Sequence, residues 1–290
     1  MANLKELRSR IISVSSTMQI TSAMKMVSAA KLSRAQDAIT ALKPYSDKLT
    51  ELLVNLSASL DEESGSKFAE QRAVNNVLVV PISSNRGLAG AFNTNIVKAV
   101  KKLKAGEFAG KKVEIFSLGK KANDVLQKDT AVHETNNGIF DDLSFENTAA
   151  IAEQLMELFV SGKYDKIVIV YNSFRNAATQ IVTTEQFLPI SPLEENEGTE
   201  NTANSDYIFE PSKKEIVDQL IPKSLKMQLY KALRDSFASE HGARMTAMHK
   251  ATDNATELRD ALKLSYNKAR QASITNEILE IVGGAEALNN

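Results

Sequence analysis

The chain has 290 residues, with 35 basic and 36 acidic side chains, so at a formal net charge of −1 no global field recruits nucleic acid or an anionic membrane. It has no cysteine, which excludes disulfides, thiolate zinc sites and cysteine nucleophiles, and no tryptophan. The longest apolar runs, Val77–Ile82 and Ile167–Tyr171, fall far short of the roughly 20 residues of a membrane helix, so no direct membrane insertion is expected. The opening Met-Ala-Asn-Leu-Lys-Glu carries no apolar signal core, and secretion is not expected.

From Leu4, apolar residues recur in alternating steps of three and four through Leu7, Ile11, Val14 and Met18. The series resumes at Leu32, Ala35, Ile39, Leu42, Leu49, Leu53 and Leu56. That is the 3.5-residue seam of a supercoiling helix, and Pro44 is its one interior breaker. About 55 helical residues span roughly 80 Å, more than a small globular domain can wrap. Residues 1–36 carry six basic side chains (Lys5, Arg8, Arg10, Lys25, Lys31, Arg34) against one acid, Glu6. These either form a solvated face or meet an acidic partner. The polar interval Thr21–Ser28 suggests a stretch facing something other than its own partner helix.

The middle of the chain alternates strand and helix signals. Asn76–Ile82, Lys112–Leu118 and Lys166–Tyr171 read as buried strands, and Ile181–Phe187 as a weaker one. Helices are expected near 91–104, 119–128 and 147–160. Strands separated by helices predict a mostly parallel sheet with both faces covered. The turn Ser83-Ser84-Asn85-Arg86-Gly87-Leu88-Ala89-Gly90-Ala91 follows the first strand and opens a helix. Amides there can hold an anion, yet the spacing is neither that of a dinucleotide-binding loop nor that of a P-loop. The reading favoured is a structural turn; the alternative is an anion- or nucleotide-binding enzyme with the long helices as an oligomerisation device. His241 and His249 lie about 12 Å apart along one helix, too far to share a metal, and His133 is isolated. Between Asn176 and Ser212 there are seven acids and no Lys or Arg, and 194–205 reads as a mobile acidic loop.

From about Ser224 to Val282 the chain has no proline and one glycine, Gly242. A small-sided seam is expected at Ala247, Ala251, Asn254, Leu258, Ala261, Ser265, Ala272, Leu279 and Val282, where close helix approach is possible. The fold class expected is α/β plus a long antiparallel coiled coil. The N- and C-terminal helices, at 1–60 and 211–290, form the coiled coil. A central Rossmann-like α/β domain at 74–210 is inserted between them.

The ends carry a further likeness. Leu4-Lys5-Glu6-Leu7-Arg8-Ser9-Arg10-Ile11 and Ile20-Thr21-Ser22-Ala23-Met24-Lys25-Met26-Val27 resemble the opening helix of the gamma subunit family of F-type ATP synthase. Ala251-Thr252-Asp253-Asn254-Ala255, Tyr266-Asn267-Lys268-Ala269-Arg270-Gln271-Ala272-Ser273-Ile274-Thr275, then Glu277, Glu280, Gly284 and Ala285, resemble its ending. Asn85-Arg86-Gly87-Leu88-Ala89-Gly90 is similar to the family's Asp-Arg-Gly-Leu-Cys-Gly, departing at Asn85 and Ala89.

The resemblance implies a non-catalytic rotor shaft without cofactor or metal. In that family a coiled coil stands inside three alpha and three beta subunits. Its globular base sits beside the epsilon subunit on the membrane c ring. Ion flow, of protons or sodium, turns the shaft and drives each beta site in turn. By the same resemblance Met24, Arg270, Gln271, Thr275 and Glu280 would contact beta, while Tyr207, Phe209 and Glu210 would contact the c ring. The location implied is peripheral, on the cytoplasmic side of a bacterial plasma membrane.

Overall fold

The computed structural model describes residues 4–57, 67–190 and 213–289. The acidic loop at 194–205 and the three residues Tyr207, Phe209 and Glu210 lie outside them. The elements, in chain order, are α1 (Leu4–Ser57), β1 (Asn76–Pro81), α2 (Phe92–Ala105), β2 (Lys112–Leu118), α3 (Lys120–Leu126), β3 (Ala131–Asn136), α4 (Phe145–Val160), β4 (Lys166–Phe174), β5 (Gln180–Leu188) and α5 (Lys213–Asn289). They form two compact units, one of residues 30–243 and one of residues 1–29 with 244–290.

The larger unit is built on a five-stranded sheet of order β3-β2-β1-β4-β5. β1 pairs in parallel with β2 and β4, β2 with β3, and β5 closes the edge antiparallel to β4. Side chains alternate across a strand, so the unbroken apolar runs serve both faces. Val77, Val79, Val113, Ile115, Val168 and Val170 pack with Ile96 and Val100 of α2 and Ala122 and Leu126 of α3. Leu78, Val80, Phe116, Leu118, Ile167 and Ile169 point the other way. They meet Ile151, Leu155 and Phe159 of α4 together with Leu225, Leu229 and Leu233 of α5.

α4 begins at Phe145, two residues before the expected 147, because the Ser144 hydroxyl accepts from the Asn147 amide at 3.3 Å as a side-chain N-cap. β3 is absent from the sequence expectation. Its residues Val132, His133, Glu134 and Thr135 are mixed in polarity and half-buried, as an edge strand with one partner tolerates.

The long C-terminal helix begins at Lys213, and Pro222 lies in its interior. Its sheet-facing stretch carries an ionisable residue, Asp235, which accepts a hydrogen bond from Ser173 of β4 at 3.3 Å. Burial pushes this carboxyl upward; nearby Glu185 of β5 pushes the same way, while Ser173 and Lys231 oppose. A carboxyl raised in the folded state stabilises fully below its ordinary value of 3.8 and loses that contribution as pH rises through the folded value. Asp235→Asn is therefore expected to raise the thermal midpoint at pH 7 to 8, with the gain vanishing below about pH 4. A gain that is independent of pH would remove the charge of Asp235 as its cause.

Candidate functional site

The smaller unit is a pair of helices, and its contacts fix direction and register. The Thr21 and Thr252 hydroxyls lie 2.8 Å apart. Thr256 donates to the Met18 sulfur at 3.3 Å, and Arg259 reaches the same sulfur at 3.5 Å. Rising from Met18 to Thr21 on α1 thus means descending from Thr256 to Thr252 on α5, so the helices are antiparallel. On α1 the buried and half-buried positions include Leu4, Leu7, Ile11, Val14 and Met18, as the spacing predicts. The polar interval is a correction. Thr21 and Ser28 are only 9% and 3% exposed, and Thr21 bonds the facing helix, so this stretch does meet its own partner. Small hydroxyl residues permit close approach and satisfy each other there.

The seam of α5 keeps the expected Ala247 and Ala251 half-buried, but beyond Thr252 it is corrected by one residue. Met248, Thr252, Ala255, Arg259, Leu262, Tyr266, Ala269 and Ser273 are the positions that turn inward, again in steps of three and four. Ala261, Ser265 and Ala272 are exposed, as are Leu258, Leu279 and Val282. Two stripes of small residues run about 100° apart on this helix, and small size alone does not choose between them. Ala255→Trp, at a position 9% exposed, is expected to overpack the seam and lower stability by about 1–3 kcal/mol. Ala261→Trp should leave stability within about 0.5 kcal/mol of the parent. Denaturant midpoints for the two variants check this, and equal losses would refute the shifted seam.

The register also relates the first described turn of α1 to α5. By the Thr21–Thr252 and Met18–Thr256 register its first described turn, Leu4–Leu7, lies level with about Tyr266–Arg270, just short of Ser273, the last half-buried position on α5. Beyond Ser273 every described position from Ile274 to Ala285 is exposed. Among the described residues Ile274, Ile278, Leu279, Ile281 and Val282 therefore present exposed apolar side chains, with Ile281 at 71% exposure. The sequence reading had placed Leu279 and Val282 in the seam. Counting the register from the N-terminal helix is the signal that places them outside it.

Of the residues expected to touch beta, Arg270, Gln271, Thr275 and Glu280 are exposed on this last stretch of α5. The Thr275 hydroxyl donates to the Gln271 backbone carbonyl at 3.0 Å. Met24, on α1, is half-buried. Arg10 makes a loose 3.8 Å contact with Glu6, the only acid of the basic N-terminal stretch.

The turn after β1 is knitted into the fold. Ser83 accepts from the Ala122 amide at 3.0 Å, and Ser84 bonds Asn93. Asn85 donates to the Asn137 carbonyl and accepts from the Lys120 amide. Leu88 and Gly90 take the left-handed backbone conformation, at φ of 61° and 57°. Ala89 and Phe92 receive Ala243 of α5. One residue away, a Cβ on Gly242 would come within 3.2 Å of the Ala177 backbone, so a larger residue there would push the two segments apart by a few tenths of an ångström. The C-terminal edge of a doubly wound sheet is where such folds ordinarily bind ligands. Here α5 packs against that edge, which supports the structural reading of the turn.

The histidines are likewise structural. His241 is buried edge-on against Phe237, His133 lies between the Phe116 and Tyr164 rings, and His249 sits 3.4 Å from Asp253.

Comparison with known proteins completes the site. The family described as ATP synthase matches residues 3–288. The ATP synthase gamma chain of Christiangramia forsetii is 72% identical over the full length of both chains, and that of Flavobacterium johnsoniae 69%. The chain belongs to the ATP synthase gamma family. Among solved structures, it is similar to a chain of the Euglena gracilis mitochondrial ATP synthase rotor, at 25% identity and a TM-score of 0.67, covering 93% of this chain and 98% of that one. A second Euglena structure, of an OSCP/F1/c-ring assembly, gives a TM-score of 0.69. This gamma-family chain is a central-stalk rotor subunit, and catalysis in the complex is by other subunits.

Proposed function

We propose that this chain carries torque between a membrane c ring and the catalytic beta subunits, coupled to proton flow, through its exposed helical surfaces. What supports the reading is the exposed end of α5: an apolar stretch of helix with Arg270, Gln271, Thr275 and Glu280 at its base suits a sleeve that turns around it. Only contacts that differ between orientations can drive a beta site. An apolar tip gives low-friction packing, and a few polar groups give orientation-dependent grip.

The six-to-one basic bias of residues 1–36 suits an acidic segment of beta passing Met24. Tyr207, Phe209 and Glu210 are assigned to the c ring, and epsilon and alpha complete the set of partners, all by family likeness. The division into helical ends at 1–60 and 211–290 and a body at 74–210 belongs to the same proposal. No helix among the described residues is long and apolar enough to cross a membrane. The chain is assigned a peripheral place on the cytoplasmic face of a bacterial plasma membrane. Reconstitution of the complex into vesicles, with synthesis, pumping and subunit content read on one sample, tests these contacts.

A further inference from the structure

Within the larger unit, α1 and α5 leave a cavity of about 110 Å³ between them. Ile39, Leu42 and Lys43 line it from α1, and Lys231, Arg234 and Asp235 from α5. Pro44 stands beside this stretch of α1, where its missing N–H and its ring disturb regular helix. The volume approaches that of the ~150 Å³ cavity known to take benzene. Its charge sets it apart from an ordinary packing gap, since three cations line it against one carboxyl.

Those cations are incompletely satisfied. Arg234 gives Nε and Nη2 to the Tyr230 hydroxyl and Nη2 also to the Leu143 carbonyl at 2.6 Å, which leaves its Nη1 donors without an acceptor among the described residues. Lys43 and Lys231 form no ion pair within 4.0 Å among the described residues, although Lys231 lies near enough to Asp235 to oppose the rise of its carboxyl. Asp235 is committed to Ser173, and burial pushes its carboxyl toward the neutral form. An apolar wall from Ile39 and Leu42 beside an excess of cations is a mixed environment that neither water nor a hydrocarbon satisfies alone.

We propose that this cavity binds a small amphiphilic anion, a single ring or short chain bearing a phosphonate, phosphate or carboxylate, with its apolar body against Ile39 and Leu42 and its head among Lys43, Lys231 and Arg234. The space suits a free small molecule and excludes a two-chain lipid. Such a ligand contacts both long helices at once and stiffens their contact where Pro44 weakens it.

Calorimetric titration of the purified full-length chain tests this with four probes: phenylphosphonate, inorganic phosphate, benzyl alcohol and benzylammonium. Phenylphosphonate is expected to bind at one site, about tenfold or more tighter than inorganic phosphate or benzyl alcohol, because head and body contribute together. Benzylammonium should not bind. The exposed pair Lys43→Gln and Lys231→Gln, which leaves packing untouched, is expected to weaken phenylphosphonate roughly three- to tenfold and leave benzyl alcohol unchanged. Ile39→Phe, which fills the space, should abolish binding; if that variant does not fold, the glutamine pair decides alone. Inorganic phosphate binding as tightly as phenylphosphonate would overturn the amphiphile assignment. Phenylphosphonate binding unaffected by the glutamine pair, or no binding at all, would overturn the site.

Discussion

Replacing Arg270 and Gln271 together by alanine is expected to lower ATP synthesis and coupled ion pumping several-fold while leaving the complex assembled. Both side chains are exposed on α5 near the level of the first described turn of α1, so neither supports the seam. A hydrogen bond from a charged donor contributes about 1.5–3 kcal/mol, and a neutral amide about 1. A grip that must be released as the shaft turns is modest in any one orientation, so its loss slows the passage between states without dissociating the subunits. Assembly survives because the seam and the apolar end of α5 remain. Vesicle-reconstituted complex with its subunits quantified gives the measurement; parental rates in the double variant would remove these residues from the mechanism.

Leu229→Ala is expected to destabilise the chain by about 2–5 kcal/mol, enough to unfold a marginal domain. Leu229 is fully buried on the sheet face that α4 and α5 share, among Leu155, Ile167 and Leu225. Its removal leaves a cavity at the contact by which α5 is held to the α/β body. Leu258→Ala is the control on the same helix. At 52% exposure it should change stability by no more than about 0.5 kcal/mol. Denaturant midpoints for both variants check the contrast, and comparable values would mean α5 does not draw its hold from the sheet.

The parts legible in the sequence are those where one physical term dominates. β1 and β4 carry unbroken apolar runs because both faces of each are covered, and β2, though broken by Glu114 and Ser117, keeps Val113, Ile115, Phe116 and Leu118 buried for the same reason. The N-terminal seam is carried by Leu and Ile, whose burial outweighs every alternative, and it lies where the spacing puts it. β3 was illegible because His133, Glu134 and Thr135 need no core; the strand exists through its hydrogen bonds to β2. Most of the α5 seam beyond Thr252 was misplaced by one residue because Ala, Ser and Thr occupy both candidate stripes, and the choice falls to contacts such as Thr252–Thr21 and Thr256–Met18 with a helix more than 230 residues away in the chain. The exposed apolar end was hidden for a related reason. Leu279 and Val282 continue a heptad pattern beyond the level of the described part of α1, and a pattern does not report how far its partner is described to run. Arg270 and Gln271 were reached through family likeness alone, since an exposed Arg-Gln pair on a helix has no physical signature of its own.

The central claim is that this chain turns, and rotation can be watched directly. The natural chain has no cysteine, so Lys98→Cys, at an exposed residue of α2 without an ion pair among the described residues, creates a single attachment point on the α/β body. With the catalytic head fixed to a surface and a particle on that cysteine, added ATP is expected to drive unidirectional rotation with three dwell positions per turn. Sustained ATP hydrolysis by fully assembled complexes, with the particle stationary or moving only at random, would contradict the account.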